Sequence, residues 1–324
     1  MEKHVLELLA RTIGYMTIIR VLIAICRWVW ATFLRPAKNL KEYGSWALVT
    51  GSTDGIGKAL AFELASKGLH LILVSRNSTK LKATADEIHG RYGSGVQVRT
   101  VVIDFSRDSL EVIGKRIEEG IEGLDVGILI NNVGMCNSWP RFFHEADCMA
   151  DEIIKVNVEG TSRVTKAVLP SMLIKKKGAI VNIGSGSAEI LQSFPLLSVY
   201  AATKAYIHQF SRSLYVEYKQ HGIDVQCQVP LFVATKILPM TLPSFLAPTP
   251  EVYSEACLRW IGYEPVCLPY WLHSFQGSLV HAMPKGFLGW VALKYCLHLR
   301  KVEKPTVFEQ VMKRENEPLF NVLE

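Results

Sequence analysis

The sequence predicts an α/β fold built on a doubly wound parallel sheet, in one large domain preceded by an apolar helix. Three observations carry this prediction. Short apolar runs alternate with stretches of helical spacing along most of the chain. A glycine-rich turn lies between the first run and the first helical stretch. Polar residues follow the ends of several runs, where open parallel sheets bind their ligands.

The apolar runs are the predicted strands of that sheet. They cover residues 46–50, 69–74, 98–103, 126–130 and 179–183. Apolar residues at helical spacing between the runs predict helices at residues 58–67, 79–92 and 110–121. Strands that alternate with helices in this way pair in parallel, because each helix carries the chain back to the same edge of the sheet.

Length and composition limit the class of protein. The 324 residues are enough for one large α/β domain with appendages. The 36 Lys and Arg outnumber the 30 Asp and Glu but form no basic block, so nucleic acid is not an expected partner. The seven cysteines form no CxxC pair, and no cluster of His and carboxylates has ligand spacing. We therefore expect free thiols in a reducing compartment and no bound metal.

An apolar and aromatic segment at residues 13–34 reaches the roughly 20 residues needed to cross a bilayer. Arg20 and Arg27 interrupt it, and each would cost about 2.5 to 3.5 kcal/mol at mid-membrane depth. A full span and a helix lying in the membrane interface therefore both remain open. A helix packed on the protein's own core and a cleaved signal peptide are less favoured.

The cations beside this segment predict its orientation. Arg35, Lys38 and Lys41 follow it closely and place the remaining chain on the cytosolic side by the positive-inside tendency. Lys3 and Arg11, on the other flank, act in the opposite direction. We predict that residues 1–43 form a membrane anchor and linker.

The turn after the first strand has the composition of a dinucleotide-binding loop. Its glycines lie where the backbone must turn tightly, approach a pyrophosphate and let the helix pack close to the strand. Amide groups at the start of the following helix then bind the phosphates. The residues predicted to contact the cofactor in this turn are Gly51, Ser52, Thr53, Asp54, Gly55, Ile56 and Gly57.

The end of the second strand predicts which dinucleotide binds. Arg76 follows this strand closely, at the place where the adenosine ribose is expected. An acid there would accept a hydrogen bond from a free ribose hydroxyl, whereas an arginine suits the extra phosphate of NADP. Arg76 therefore favours NADP(H), against the alternative of a solvent-facing charge at a strand end.

Tyr200 and Lys204 are four residues apart in a helix-favouring stretch, so they share one helical face. An ammonium beside a phenol would lower the pKa of the phenol from about 10, which makes proton exchange feasible near neutral pH. Ser185 and Ser187 follow the fifth strand at the same edge of the sheet, where a hydroxyl can polarise a carbonyl oxygen. The set predicts ketone reduction, with a hydride from a nicotinamide and a proton from Tyr200.

Together these motifs resemble the short-chain dehydrogenase/reductase family, over about residues 44–265. The matching segments are TGSTDGIG, VIDFS, NNVG, IKVNVEG, VNIGSGS, YAATK and PLFVAT. The resemblance implies a Rossmann-type sheet and a single catalytic domain, and it gives Lys204 a bond to the nicotinamide ribose. It also implies an adenine-contacting acid, a strand-end residue beside the cofactor, an asparagine that holds a proton-relay water and two contacts to the carboxamide. In that order, these residues are Asp104, Asn131, Asn157, Val233 and Thr235.

The catalytic serine has two candidates in this resemblance. Counting from Asn182 selects Ser185, whereas the family's usual separation from the tyrosine suits Ser187 better. We prefer Ser185 as the catalytic and substrate-contacting serine. Ser187 is kept as the second choice, in contact with the substrate.

A closer resemblance covers about residues 31–300. The apolar N-terminal segment is followed by FLRPAKNLKEYGSWALVTG, EGLDVGILINNVG, HGIDVQCQVPLFVATK and GYEPVCLPYW. These segments are similar to the membrane-bound very-long-chain 3-oxoacyl-CoA reductases of the endoplasmic reticulum fatty-acid elongase, the plant branch in particular. The resemblance implies NADPH-dependent reduction of a 3-oxoacyl-CoA to the 3-hydroxyacyl-CoA at that membrane. Other elongase subunits and a second copy of the chain are the partners it suggests.

Two other functions remain open. One is a hydroxysteroid or other lipid-alcohol dehydrogenase with the same site, and the other is a non-catalytic scaffold of the elongase. The apolar, proline-broken stretch after Thr235 is expected to cover the substrate, and residues 266–324 to cover it or to contact the membrane. The chain departs from the resemblance at Leu231, where the family has glycine, and in a tail without the lysine-rich retrieval signal.

Overall fold

The computed structural model describes residues 2–137, 139–145, 149–235 and 245–302, in two compact units that divide after Ala37. The first unit is a single long helix, α1 (Glu2–Val29), which continues as a π-helical turn (Trp30–Leu34). Within the described residues, Lys3–Leu34 is a helix long and apolar enough to cross a membrane, with a mean hydropathy of 1.8 and none of its most apolar window buried. The apolar side chains of that window are thus exposed.

The second unit begins at Lys38 and is built around a seven-stranded parallel sheet. Its strands are β1 (Trp46–Thr50), β2 (His70–Ser75), β3 (Val98–Val102), β4 (Val126–Asn131), β5 (Gly178–Ile183), β6 (Ile223–Gln228) and β7 (Val266–Cys267). Their order in the sheet is β3-β2-β1-β4-β5-β6-β7. The predicted fold class is confirmed, and all five predicted strands form within one or two residues of their expected bounds. The last two strands were not predicted.

Helices cover both faces of the sheet. They are α2 (Gly55–Ser66), α3 (Ser78–Tyr92), α4 (Leu110–Ile121), α5 (Met149–Ile154), α6 (Thr161–Lys175), α7 (Gly186–Glu189), α8 (Ser198–Tyr218), α9 (Pro250–Trp260), α10 (Trp271–His281) and α11 (Lys285–Val302). Successive side chains of a strand point to opposite faces, and β1 shows this directly. Val49 packs in one core with α2, α3 and α9, whereas Leu48 packs in the other with α4, α6 and α8.

The strand order reverses at β1. Strands β2 and β3 lie on one side of it, and β4 to β7 lie on the other side. In open parallel sheets the crevice at such a reversal, at the carboxyl ends of the strands, is where ligands bind. The residues that follow β1, β4, β5 and β6 therefore converge on one edge of the sheet. All the predicted catalytic residues and most of the predicted cofactor contacts lie in or next to these segments.

Candidate active site

The glycine turn after β1 is shaped by the absence of side chains. Gly51 and Gly55 have φ values of +64° and +52°, in the left-handed region that favours glycine. A Cβ on Gly57 would collide with the carbonyl oxygen of Gly51 and the side-chain amide of Asn132. Helix α2 begins at Gly55, three residues earlier than predicted. The Asp54 carboxylate accepts a 2.8 Å hydrogen bond from the Gly55 amide, the first of the helix. This tight turn at a helix N-terminus fits a dinucleotide pyrophosphate.

Side chains from two strands brace that turn. The Thr50 hydroxyl oxygen accepts hydrogen bonds of 3.0 Å from the amides of both Asn132 and Val133. The Asn132 side chain donates in return to the carbonyl oxygens of Thr50 at 3.0 Å and Gly51 at 3.2 Å. Asn132 was not among the predicted site residues. It ties the ends of β1 and β4 together, directly at the crevice.

The predicted residue Asn131 is placed differently. Its side chain is buried and donates to the Thr165 hydroxyl at 2.9 Å and to the Asn182 side chain at 2.8 Å. The Asn182 amide in turn donates to Ser211 at 2.9 Å. This buried polar chain joins β4 to β5, α6 and α8 below the crevice, so Asn131 lies at the strand end, as predicted, with its side chain directed into the protein.

Other residues of the turn bind it to β2. Ser52 is fully buried, and both its amide and its hydroxyl donate to the carbonyl oxygen of Val74, at 3.3 and 3.4 Å. The hydroxyls of Thr53 and Ser75 are 3.0 Å apart and share a hydrogen bond. The carbonyl oxygen of Ile56 accepts a 3.4 Å hydrogen bond from Ser254 on α9. Contacts of these three residues with a cofactor stay a prediction.

Arg76 and Asp104 lie at the ends of β2 and β3, where the adenosine half of a dinucleotide is expected. Arg76 is exposed. Asp104 is half-buried and accepts hydrogen bonds from the amide and hydroxyl of Ser106, at 3.0 and 2.7 Å. Burial raises the pKa of Asp104, but the Ser106 hydrogen bonds and the charge of Arg76 outweigh it, and the net shift is downward. The carboxylate is therefore ionised near neutral pH.

The loop after β6 reaches back to the glycine turn. A Cβ on Gly55 would lie 3.3 Å from the methyl carbon of Thr235, so these residues face each other across the site. Val233 is buried in the core beneath. His273 on α10 fixes the start of the loop, since its ring nitrogens contact the Leu231 amide at 3.4 Å and the Phe232 carbonyl oxygen at 3.1 Å.

At Leu231 the resemblance led us to expect glycine. The Leu231 side chain occupies the space that a side chain on Gly186 would need. A Cβ on Gly186 would collide with the end of the Leu231 side chain, and the Gly186 amide donates to the Pro230 carbonyl oxygen at 2.9 Å. The loops after β5 and β6 therefore pack against each other at these two positions.

The hydroxyls predicted to be catalytic lie near the end of β5. Tyr200 on α8 lies beside Ser185, whose hydroxyl acts to lower the pKa of the phenol. Ser187 lies behind it, donating to the Ser185 oxygen from its amide at 3.2 Å and from its hydroxyl at 2.9 Å. Because Ser187 donates twice to Ser185, the Ser185 proton is left for Tyr200 or for a substrate oxygen. The geometry favours Ser185 over Ser187 as the partner of the tyrosine.

Lys204 lies one helical turn from Tyr200, with its ammonium 5.9 Å from the centre of the tyrosine ring. The ammonium donates to the Ile183 carbonyl oxygen at 2.9 Å, and burial lowers the pKa of Lys204 to about 8. Burial also raises the pKa of Tyr200, although the Ser185 hydrogen bond acts in the opposite direction. The lowered tyrosine pKa expected from the sequence is thus not found, because desolvation by burial has the largest effect on it.

Asn157 lies in a π-helical turn (Lys155–Gly160) between α5 and α6. Its buried side chain accepts from the Met135 amide at 2.7 Å, and donates to the Met135 carbonyl oxygen and the Thr203 hydroxyl, both at 2.9 Å. It thereby joins the loop after β4 to α8. Single π turns within helices are common at functional sites, and the predicted role of Asn157 in a proton relay stays a prediction.

Two further residues at the site were not predicted. Cys136 interacts electrostatically with both Tyr200 and Lys204, and burial raises the pKa of its thiol to about 12. His208 is buried one turn beyond Lys204, and its ring contacts the Ser185 amide. The spacing of Tyr200, Lys204 and His208 at four-residue intervals could have placed His208 on the same face of α8.

The surroundings of the site are apolar. The predicted substrate-covering stretch lies partly in residues 236–244, outside the described residues, and so does the C-terminal tail. On either side of residues 236–244, the side chains of Phe232 and Phe245 are exposed. The helices α10 and α11 expose further apolar side chains, namely Phe275, Leu279, Phe287, Trp290 and Val291. Near the end of α11, Arg300 forms a bidentate ion pair with Glu145, at 2.5 and 2.7 Å.

Several known proteins are similar to this chain. The family model for short chain dehydrogenases matches residues 45–242. A very-long-chain 3-oxoacyl-CoA reductase-like protein of Arabidopsis thaliana is 48% identical over 278 residues, 84% of this chain and 88% of the relative. The very-long-chain 3-oxoacyl-CoA reductase of Anas platyrhynchos is 42% identical over 74% of this chain and 76% of its own. A human protein named inactive hydroxysteroid dehydrogenase-like protein 1 is also 42% identical, over 82% of this chain and 80% of its own.

Among solved structures, the short-chain dehydrogenase from Sphingobium yanoikuyae in complex with NADPH is similar, with a TM-score of 0.61 and 30% identity. The similarity covers 74% of this chain and 96% of that one. The chain belongs to the short-chain dehydrogenase family.

Proposed function

We propose that this protein reduces very-long-chain 3-oxoacyl-CoA to 3-hydroxyacyl-CoA with NADPH, as a step of fatty-acid elongation. The observation that carries the proposal is the placement of Tyr200 beside Ser185, with Lys204 one turn away, at the same edge of the sheet as the glycine turn. Relatives named for this reaction match most of the chain, which supports the choice of substrate.

The residues of the site divide the chemistry among them. When bound, NADPH supplies the hydride. The Tyr200 hydroxyl donates a proton to the substrate oxygen as negative charge develops there, and the Ser185 hydroxyl donates a hydrogen bond to the same oxygen. The Lys204 ammonium then stabilises the phenolate left on Tyr200. Asn157 holds the loop after β4 against α8, through Met135 and Thr203, and keeps α8 in place beside the crevice.

Cofactor choice follows from the end of β2. The exposed guanidinium of Arg76 suits a ribose phosphate, so NADPH should be preferred over NADH. In Arg76→Asp the preference should reverse or disappear, because the new carboxylate repels the phosphate and can accept a hydrogen bond from a free ribose hydroxyl. Affinities for both dinucleotides, measured by fluorescence titration, check this, and equal use of both by the unchanged protein would contradict it.

The exposed apolar helix at the N-terminus supports anchoring in a membrane. The proposal further takes this membrane to be the endoplasmic reticulum, with the catalytic unit in the cytosol. Helix α11 supports a second contact of residues 266–302 with the lipid, since it combines exposed aromatic side chains with Lys and Arg and has no Asp or Glu. Association with other elongase subunits and with a second copy of the chain is part of the same proposal.

The experiment that tests this function compares two substrate classes. Membranes containing the full-length chain are supplied with NADPH and either a long-chain 3-oxoacyl-CoA or a steroid ketone, and the alcohol product is measured. Membranes with the Tyr200→Phe variant are the control. We expect 3-hydroxyacyl-CoA from the unchanged chain only. Faster reduction of the steroid would favour the hydroxysteroid dehydrogenase alternative. No reduction of either substrate would favour the non-catalytic scaffold. This alternative is worth testing because one relative is named as inactive.

A further inference from the structure

A third side chain of α8 lies on the catalytic face and is not used by the proposed chemistry. His208 follows Tyr200 and Lys204 at the same four-residue interval and is 3% exposed. Its Nδ1 atom is 2.8 Å from a carboxylate oxygen of Glu189. Arg212, one turn further along, donates to both oxygens of that carboxylate, at 2.7 and 2.9 Å. A polar chain therefore runs from the exposed Arg212 through Glu189 to the buried His208.

The other ring nitrogen of His208 contacts the catalytic loop. Its Nε2 atom accepts a hydrogen bond of 3.5 Å from the Ser185 amide. At that length the hydrogen bond is weak. The ring also lies against the backbone of the loop at Gly184. A Cβ on Gly184 would lie only 2.6 Å from the same Nε2 atom and 2.7 Å from the Cys227 sulfur.

The amides around Ser185 show why this contact matters. The Gly184 amide donates to the carbonyl oxygen of Gln228 at 2.8 Å, and the Gly186 amide to that of Pro230 at 2.9 Å. Both of these partners are backbone atoms of the neighbouring strand and loop. Between them, the Ser185 amide is held by a side chain, that of His208. The backbone at Ser185 sets the direction of the hydroxyl that meets Tyr200.

We propose that His208 is a positioning residue for the catalytic serine. Its Nδ1–H donates to the Glu189 carboxylate, which Arg212 fixes, and this fixes the tautomer that leaves Nε2 free to accept the Ser185 amide. The inference rests on the proposed function, because it takes Ser185 as the residue that polarises the substrate oxygen. It assigns His208 no contact with substrate or cofactor.

Three substitutions separate the two ring nitrogens. His208→Gln places an acceptor near the position of Nε2, His208→Asn keeps only a group near Nδ1, and His208→Leu removes both. We expect kcat to fall about tenfold in the Leu and Asn variants, the loss of roughly one hydrogen bond's free energy. The Gln variant should stay within about threefold of the unchanged protein, and the NADPH affinity of all three should change less than twofold. A merely structural role would instead lower the unfolding temperature and leave kcat per NADPH-binding site unchanged.

A double-variant cycle makes the test specific. If His208 acts through Ser185, His208→Leu should change kcat less than twofold in a Ser185→Ala background. A full tenfold effect in that background would overturn the proposal, and so would an unchanged kcat in all three single variants. The matched control is His70→Leu, since the Nδ1 atom of His70 also accepts a backbone amide, that of Gln97 at 3.1 Å, at the opposite edge of the sheet. It should leave kcat unchanged.

Hydrogen exchange keeps this test independent of the reaction. If the unchanged protein reduces no 3-oxoacyl-CoA, the proposed function fails, but amide exchange of residues 184–187 can still be measured by mass spectrometry. We expect faster exchange in His208→Leu than in His208→Gln, whereas identical exchange in all variants would show that His208 does not hold the loop.

Discussion

The glycine turn after β1 and the serine loop after β5 occupy the same edge of the sheet, yet they are shaped by opposite means. The turn depends on side chains that are missing, at Gly51, Gly55 and Gly57. The serine loop depends on side chains that are present, because Ser185 contacts Ser187, Tyr200 and His208. The comparison teaches that an added atom should damage the turn, and that a removed polar atom should damage the serine loop.

Among substitutions near the serine loop, we expect the largest loss of turnover at Lys204. Lys204→Met keeps most of the side chain's length and removes the ammonium. Turnover should fall by at least about a hundredfold, because the charge that stabilises the Tyr200 phenolate is lost. The stability of the free protein should nevertheless rise at pH 7, by about 1 to 3 kcal/mol, since the buried ammonium is no longer desolvated.

The size of this effect depends on pH. Burial lowers the pKa of Lys204 from 10.5 to about 8. Below pH 8 the lysine is charged in both states, and its cost to stability is fully present. Between about pH 8 and 10.5 the folded protein releases the proton while the unfolded chain retains it, so the unchanged protein gains stability. Urea unfolding at pH 7 and pH 10 should therefore show a smaller difference between the two proteins at pH 10. A destabilised Lys204→Met variant at pH 7 would contradict this account.

An added atom in the turn should act on binding rather than chemistry. In Gly57→Ala the new Cβ meets the Gly51 carbonyl oxygen and Asn132, so one of these backbone or side-chain groups must shift. We expect NADPH affinity to fall at least about tenfold and the free energy of unfolding to drop by about 1 to 3 kcal/mol. Gly90→Ala in α3 is the matched control, because nothing lies within 4 Å of its Cβ position. That change should stabilise the helix by about 0.5 to 1 kcal/mol. Equal effects of the two substitutions would break the comparison.

The contact of Gly186 with Leu231 is a smaller exception, where the serine loop also depends on a missing side chain. Gly186→Ala should lower kcat several-fold, because its Cβ displaces Leu231 and with it the loop that carries Val233 and Thr235. Adding Leu231→Ala should restore most of the activity, since the space is returned. Steady-state kinetics on the two single variants and the double variant measure this coupling. Additive losses in the double variant would show that the two loops do not depend on each other here.

Sequence patterns predicted the cofactor half of the fold better than the catalytic half, for physical reasons. Helix α4 (Leu110–Ile121) and strand β1 (Trp46–Thr50) have the predicted bounds because their apolar spacing is regular. Strand β6 alternates Asp224, Gln226 and Gln228 with apolar residues, and its polar side chains are bonded within the fold, so no apolar run marks it. Strand β7 has two residues, too few for a pattern.

The same limit applies to the site. The glycine positions and the Tyr200 and Lys204 pair follow from local spacing, so the sequence was enough to predict where these residues lie; their roles stay predictions. The choice of Ser185 over Ser187 depends on the position of Tyr200 on α8. The contact of Asn132 with the glycine turn was not predicted, because it depends on which of two neighbouring side chains points into the protein. The pKa of Tyr200 depends on how completely the fold buries it, which spacing along a helix does not report.

The measurement that tests the central claim most directly is made on Tyr200→Phe, which removes one hydroxyl and keeps the ring. NADPH affinity and the single-turnover rate of hydride transfer to a 3-oxoacyl-CoA are measured on the same sample. Because the glycine turn and Lys204 are unchanged, the affinity should stay within about twofold of the unchanged protein, while the rate falls by the roughly hundredfold to ten-thousandfold typical of a lost acid. A variant that binds NADPH normally and keeps near-full activity would mean that the proton comes from another group, and would contradict the assignment of Tyr200.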